Sequence, residues 1–439
     1  MIGSATIQRW LSKQSALIFS LFAIVAAFST YFSMYAFRKP FAAASYEGVA
    51  ALSVFGLAVK YKTALITFQV FGYCTSKFLG IKIISEMRPE NRAKMIFGCI
   101  GVAWLALFAF AVVPAPWNIV CLGLNGLPLG MVWGLVFGFL EGRRVSEVLG
   151  VGLSASYILA SGVVKGVGRG LMDAGVPEFW MPFTTGACFA VPMGIFVFLL
   201  SCLPPPSPED IAARTERVPM DGPARKAFFL KYLVGLLPLT LLYVVLTAYR
   251  DFRDNFAVEI WRSLGYKKDE VATMMAGSEV PVTVGVLLIL ALLMVIRDNR
   301  KALLTVHGIM LAGTAMVGVS TLLFELEVIG PAAWMITIGL GLYAAYVPFG
   351  CILFDRRIAT VGAVGTAGFL IYVTDAFGYL GAVLLMLYKD IGSPDLSWRT
   401  FFIQASYGTA IFCTTLYGVS LVYFGRLTTK EAPASDPKS

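Results

Sequence analysis

Tyr31-Phe32-Ser33-Met34-Tyr35-Ala36-Phe37-Arg38-Lys39-Pro40 decides how this chain is read. The stretch lies inside an apolar segment running from about Ala16 to Ala44, long enough to cross a bilayer. Tyr31, Tyr35 and Arg38 follow one another at helical spacing, so one helix face is expected to carry all three. An arginine at that depth is costly in hydrocarbon. It is therefore expected to face a polar interior and to mark a functional site. The plainer alternative has Arg38 and Lys39 snorkelling to the outer interface from the end of a shorter helix. Against it stands a second copy of the arrangement, in which Arg250 follows Tyr243 at the same separation.

Composition sets the class. Of 439 residues, 58% are hydrophobic and 14% charged, where a soluble domain would be about a quarter charged. The expectation is an all-α polytopic membrane protein with twelve spans. They begin near Ala16, Thr63, Ala93, Trp117, Val148, Trp180, Phe228, Val271, Leu303, Pro331, Val361 and Thr400. The net charge is +9, and most cations fall in loops on one side, which puts both termini in the cytoplasm. Loop charge explains the excess, so no nucleic-acid partner is expected. The first apolar run is too long for a cleavable signal and carries tyrosines and an arginine. Seven cysteines lie singly in or near apolar runs, and His307 is the only histidine. Neither a metal site, a cofactor nor enzyme chemistry is expected.

The chain reads as two copies of one unit. Residues 1–202 form one six-helix half, 203–227 a proline-rich, charged cytoplasmic linker, and 228–439 a second half with a short cytoplasmic tail. Glu141-Gly142-Arg143-Arg144 closes the fourth span, and Asp355-Arg356-Arg357 closes the tenth at a matching offset. Arg88, Arg92 and Lys94 are echoed by Arg297, Arg300 and Lys301. Such duplication is the sequence sign of a transporter with its site between repeats. The acid–Arg–Arg groups are read either as a cytoplasmic gate of charge latches or as cations suiting helix ends.

Further charges fall where charge is expensive: Lys77, Lys165, Arg169, Arg253, Glu279 and Asp375. A vestibule holding Arg38, Lys77, Lys165 and Arg250 would be strongly cationic and suit a small dianion, since guanidinium forks clamp phosphoryl oxygens. Lys165 and Asp375 are near-equivalent in the two halves and could instead pair with each other. Gly166-Val167-Gly168-Arg169-Gly170 has no Gly-Lys-Ser/Thr continuation, so an ATP-driven pump is not indicated.

The motifs resemble those of the organophosphate:phosphate antiporters of the major facilitator superfamily. Tyr31, Tyr35, Arg38, Lys39 and Phe41 are similar to that family's Tyr-x3-Tyr-x2-Arg-Lys-x-Phe. Ser76-Lys77-Phe78 resembles its Ser-Lys-Phe, and Phe377-Gly378-Tyr379-Leu380-Gly381 a motif on its eleventh helix. The resemblance implies that Arg38 on helix one and Arg250 on helix seven, with Arg253 as fallback, bind the substrate phosphate, and that Lys77 lines the path. Ile84-Ser85-Glu86-Met87-Arg88-Pro89 departs from the family's Gly-x3-Asp-Arg loop, and Lys165 stands where the family has a histidine region. The phrases Tyr-Ala-Phe-Arg-Lys-Pro-Phe and Leu-Phe-Asp-Arg also resemble a poorly characterised bacterial branch of the superfamily.

The expected function is therefore alternating-access transport of a small organophosphate or organophosphonate anion across a bacterial inner membrane, by a monomer. Tyr31, Tyr35 and Tyr243 would hydrogen-bond the substrate. Asp375 or Glu279 would meet an ammonium, as in aminoethylphosphonate, or couple transport to protons in place of phosphate exchange. The alternatives are a proton-coupled carrier of another organic anion such as a carboxylate, and a transporter-like membrane sensor.

Overall fold

The first long helix, α1 (Ala16–Tyr35), opens with Ser15 accepting a hydrogen bond from the Ile18 amide. It ends at Tyr35, before the apolar segment does. The amides of Ala36, Phe37 and Arg38 reach back only three residues, and Pro40 has no amide hydrogen to continue the ladder, so the chain tightens through 36–39 into the 3-10 turn Pro40–Ala43. Arg38 consequently sits in the turn and not on the α1 face expected for it. The computed structural model describes residues 4–54, 57–85, 87–212, 233–267, 269–296, 298–349, 353 and 367–430.

Eleven further long helices follow among the described residues: α2 (Tyr61–Ser85), α3 (Arg92–Val112), α4 (Ile119–Leu140), α5 (Ser146–Asp173), α6 (Met181–Ser201), α7 (Leu233–Asn255), α8 (Val271–Met294), α9 (Asn299–Glu325), α10 (Pro331–Pro348), α11 (Ala367–Leu387) and α12 (Trp398–Lys430). Among the described residues, nine stretches of helix are long and apolar enough to cross a membrane. The expected starts at Ala16, Val271 and Pro331 coincide with those observed. One non-helical element was not expected: a two-stranded hairpin pairing Leu52–Val54 with Leu57–Val59 before α2. Of the segment expected as a linker, residues up to 212 are described and include a helical turn, Pro208–Ala212.

Contacts repeat with a period of six helices. α1 packs on α5 and α6, α2 on α4, and α3 on α4 and α6; α7 packs on α11 and α12, α8 on α10, and α9 on α10 and α12. The two sets meet through α2 with α11 and α5 with α8. Interior helices are separated from peripheral ones by burial, with 72% of the apolar stretch of α4 and of α5 buried against 28% of that of α6. Outward positions carry apolar side chains such as Leu105, Val191 and Leu292, as a lipid-facing surface requires. α2 and α4 approach backbone to backbone. A Cβ on Gly126 would stand 2.1 Å from the Gln69 carbonyl oxygen, so only glycine fits there.

Candidate functional site

The turn after α1 is held by two buried amides. Ending a helix early leaves carbonyls without amide partners, and here the side chains of α2 and α4 supply them. Asn125 donates to the carbonyls of Phe37 and Ala103, both at 2.9 Å. Gln69 donates to the Arg38 carbonyl and to Asn125 Oδ1, both at 2.8 Å. Arg38 is thereby fixed in the interior, 3% exposed, with its guanidinium 3.8 Å from the Tyr73 ring centre. It makes no ion pair with any described acid, and its Nε is buried without a hydrogen-bond partner. Nothing of this supports snorkelling.

Arg250 comes from α7 and stacks 4.4 Å from the Tyr346 ring centre. The two arginines share a third ring, that of Tyr379 on α11, at 5.9 Å from Arg38 and 6.0 Å from Arg250. Two adjoining cavities surround them. The larger, with about 530 Å³ of empty space including its mouth, is lined by Tyr31, Tyr35, Tyr243, Lys77, Arg250 and Asp375, with Trp133 and further tyrosines. The smaller, with about 260 Å³ of empty space including its mouth, is lined by Arg38, Lys39, Arg250, Asp251 and Asp254 with Tyr35, Tyr157 and Tyr343.

Of the four cations expected in the vestibule, Lys77 lines the cavity but is ion-paired, and Lys165 lies outside it. Lys77 is bound to Asp375 at 2.9 Å, across the α2–α11 contact, and Tyr243 donates to the same carboxylate. Lys165 is bound to Asp254 at 2.7 Å and lies outside the cavity lining. The considered pairing of Lys165 with Asp375 is not made. Lys77 and Asp375 meet where α2 packs on α11, while Lys165 reaches across to Asp254 on α7, so each buried charge has an opposite charge within reach. Arg253, the fallback ligand, points away to Glu279 at 2.8 Å and to the Met335 carbonyl at 3.2 Å. Both acids considered for a substrate ammonium, Asp375 and Glu279, thus already hold a cation. Tyr243 also bonds the Tyr346 hydroxyl at 2.7 Å, linking Asp375 to the ring under Arg250.

Sequence reading passed over the residue on which the linker-distal end turns. Asp254 accepts from Lys39 at 2.6 Å through Oδ2, from Lys165 through Oδ1, and from Ser161. It joins α7 to α5 and to the turn after α1. Lys62 with Glu259 at 2.6 Å and Arg262 with Glu47 at 3.0 Å tie the same end. Between them a Cβ on Gly162 would lie 2.4 Å from the Met275 carbonyl oxygen. The molecule is closed there. The available signal was Asp254 itself, an acid one turn beyond Arg250 and so in need of a partner.

At the linker end, Arg143 donates to the Pro204 carbonyl, and the Arg144 amide donates to Asp210 at 3.0 Å, with Glu209 3.9 Å from its guanidinium. These contacts bind the α4–α5 turn to the start of the linker. Glu141 also has a partner. Asp355, Arg356 and Arg357 lie outside the described residues. His307 is structural, held by the Leu303 carbonyl at 2.8 Å and Ser420 at 3.3 Å.

Helices repeating in two sets of six around a central polar cavity define the major facilitator fold, and the solved structures agree. The chain is similar to a D-xylose–proton symporter, with 13% identity and a TM-score of 0.58 over 97% of this chain and 100% of that one. It is also similar to a bacterial homologue of the human drug peptide transporters, with 9% identity and a TM-score of 0.60 over 93% and 98%. At such identity the likeness concerns the fold alone. The chain belongs to the Family of unknown function (DUF5690), whose model matches residues 40–427. No curated protein sequence matches it.

Proposed function

We propose that this protein is a secondary active transporter that moves a small organic anion bearing a phosphoryl or phosphonyl group. The unpaired Arg38 guanidinium carries this reading. A buried cation without an acid is costly unless a ligand supplies the missing charge. Arg250, reaching the same Tyr379 ring, offers a second fork. The cavity lining holds four cations and three acids, and Lys165 adds a fifth cation against Asp254, leaving an excess of two positive charges. Guanidinium pairs suit the oxygens of a tetrahedral dianion. The remaining wall, rich in tyrosine hydroxyls with Trp133, suits a hydroxylated or ring-bearing remainder.

In this proposal residues 1–202 and 228–439 are two halves that rock about the site, joined by a cytoplasmic linker at 203–227. Positive charge inside orients the chain so that the Asp254 cluster lies on the outer side. The Glu141, Arg143 and Arg144 group then belongs to the inner gate. An organic dicarboxylate is the second reading, favoured by the same arginines. Counterflow in proteoliposomes tests both, using glycerol 3-phosphate, methylphosphonate and succinate. Exchange of the phosphorus compounds supports the proposal. Exchange of succinate alone supports the second reading, and exchange of none of the three rejects both.

A further inference from the structure

The smaller cavity holds two buried polar atoms without partners, one a donor and one an acceptor. Arg38 Nε is the donor and Asp251 Oδ2 the acceptor. Asp251 is 2% exposed, and Arg250 reaches it with Nε at 3.2 Å and Nη2 at 2.8 Å, both on Oδ1. The other described acids lining the two cavities use both oxygens. Asp375 gives Oδ1 to Tyr243 and Oδ2 to Lys77; Asp254 gives Oδ1 to Lys165 and Oδ2 to Lys39. Asp251 alone among them keeps one oxygen for something else.

The groups around Asp251 define what that could be. Arg38 and Lys39 face it from the turn after α1, Tyr157 from α5 and Tyr343 from α10, and Tyr379 on α11 acts on it electrostatically. On its own helix stand Arg250 and Asp254. An anion offering only acceptor oxygens would satisfy Arg38 while meeting Asp251 oxygen to oxygen, a repulsive contact between unpaired acceptors. A ligand oxygen that shares one proton with Asp251 Oδ2 satisfies both orphans at once.

We propose that the two adjoining cavities together bind the phosphoryl or phosphonyl group with one proton, held between a ligand oxygen and Asp251 Oδ2. The proposal rests on the anion-transport reading and adds its coupling: dianion and proton enter as one unit. The proton comes from water on the side where the ligand binds and leaves with it on the other, and no bond of the ligand is made or broken. Asp251, not Asp375, is the coupling acid in this account.

Calorimetric titration of the full chain in detergent with methyl phosphate, in two buffers of different ionisation enthalpy, counts protons taken up on binding. A phosphate monoester has a second pKa of about 6, so at about pH 8.5 it arrives as a dianion and at about pH 5 as a monoanion. The expected uptake is close to one proton per ligand at the higher pH and close to none at the lower. Asp251→Asn should still bind, its amide donating to a bare oxygen, and take up no proton. Wild-type binding without uptake at the higher pH overturns this proposal and leaves the anion reading standing; no binding at either pH overturns the anion reading and this proposal with it. Uptake retained in Asp251→Asn places the proton elsewhere and also overturns it. Should that variant fail to fold, the wild-type profile decides, an uptake that does not change with pH being the contrary result.

Discussion

Lys165 on α5 and Asp254 on α7 meet at 2.7 Å between the two sets of six helices, and Lys39 completes the cluster at 2.6 Å. All three are buried or nearly so, with 14% of the Asp254 side chain exposed. Removing one partner of a buried pair costs about 3–5 kcal/mol, because the other charge is stranded.

Asp254→Asn should therefore open the linker-distal end, since only the closed state buries the two lysines. A population shift of roughly a hundredfold or more follows from such a cost. Labelling of a single cysteine at Ser161, by a membrane-impermeant thiol reagent in an otherwise cysteine-free chain, should rise steeply. Unchanged labelling would show that the cluster does not hold the closure.

Gly162 offers an independent handle on the same closure. A methyl at this position would overlap the Met275 carbonyl oxygen and crowd Glu279. Gly162→Val should fold, because the wedge acts between the two sets of helices and not within one, yet fail to close. Spin-label distances between the ends of α5 and α8 should lengthen, and transport should be lost. Distances equal to wild type would place the wedge elsewhere.

Lys77 and Asp375 make a different prediction, about stability. Lys77→Met or Asp375→Asn alone leaves a charge stranded in the interior and should lower the melting temperature markedly. The double variant removes both charges and should recover most of the loss, as replacing a whole buried pair is often near neutral. A double variant as unstable as the sum of the singles would mean that the pair is not coupled.

Asn125→Leu tests how Arg38 is positioned. It removes two donors to the carbonyls of Phe37 and Ala103 and one acceptor for Gln69. Three buried hydrogen bonds at about 1 kcal/mol each, with their partners left unsatisfied, predict a loss of several kcal/mol in stability. Binding of phosphate esters should weaken with it. Unaltered melting would show that the turn stands without this support.

The fold was legible in the sequence because bilayer thickness sets helix length, so runs of apolar residues mark the helices from Ala16 to Thr400 almost by themselves. Arg38 and Arg250 stood out because arginine in an apolar segment has few bland explanations. What was not legible is which charges meet. Lys165 and Asp375 occupy corresponding places in the repeat, yet each pairs with another opposite charge within reach, and such contacts depend on packing that no spacing rule encodes. The end of α1 was misjudged because hydropathy continues through Ala44, whereas Pro40 and the carbonyl acceptors of 37 and 38 end the helix at Tyr35. Asn125 and Gln69 were silent, since a buried amide in a span has no signature until its partner is seen.

Binding of methyl phosphate to the purified protein, compared across Arg38→Lys, Arg250→Lys and Arg253→Lys, tests the central claim most directly. Replacing a fork by a point charge at Arg38 or Arg250 should weaken binding at least tenfold, the loss of one charged hydrogen bond of about 1.5–3 kcal/mol. Arg253→Lys should bind far better than either, because Arg253 is turned to Glu279. Full binding by Arg38→Lys and Arg250→Lys, with loss confined to Arg253→Lys, would contradict the account.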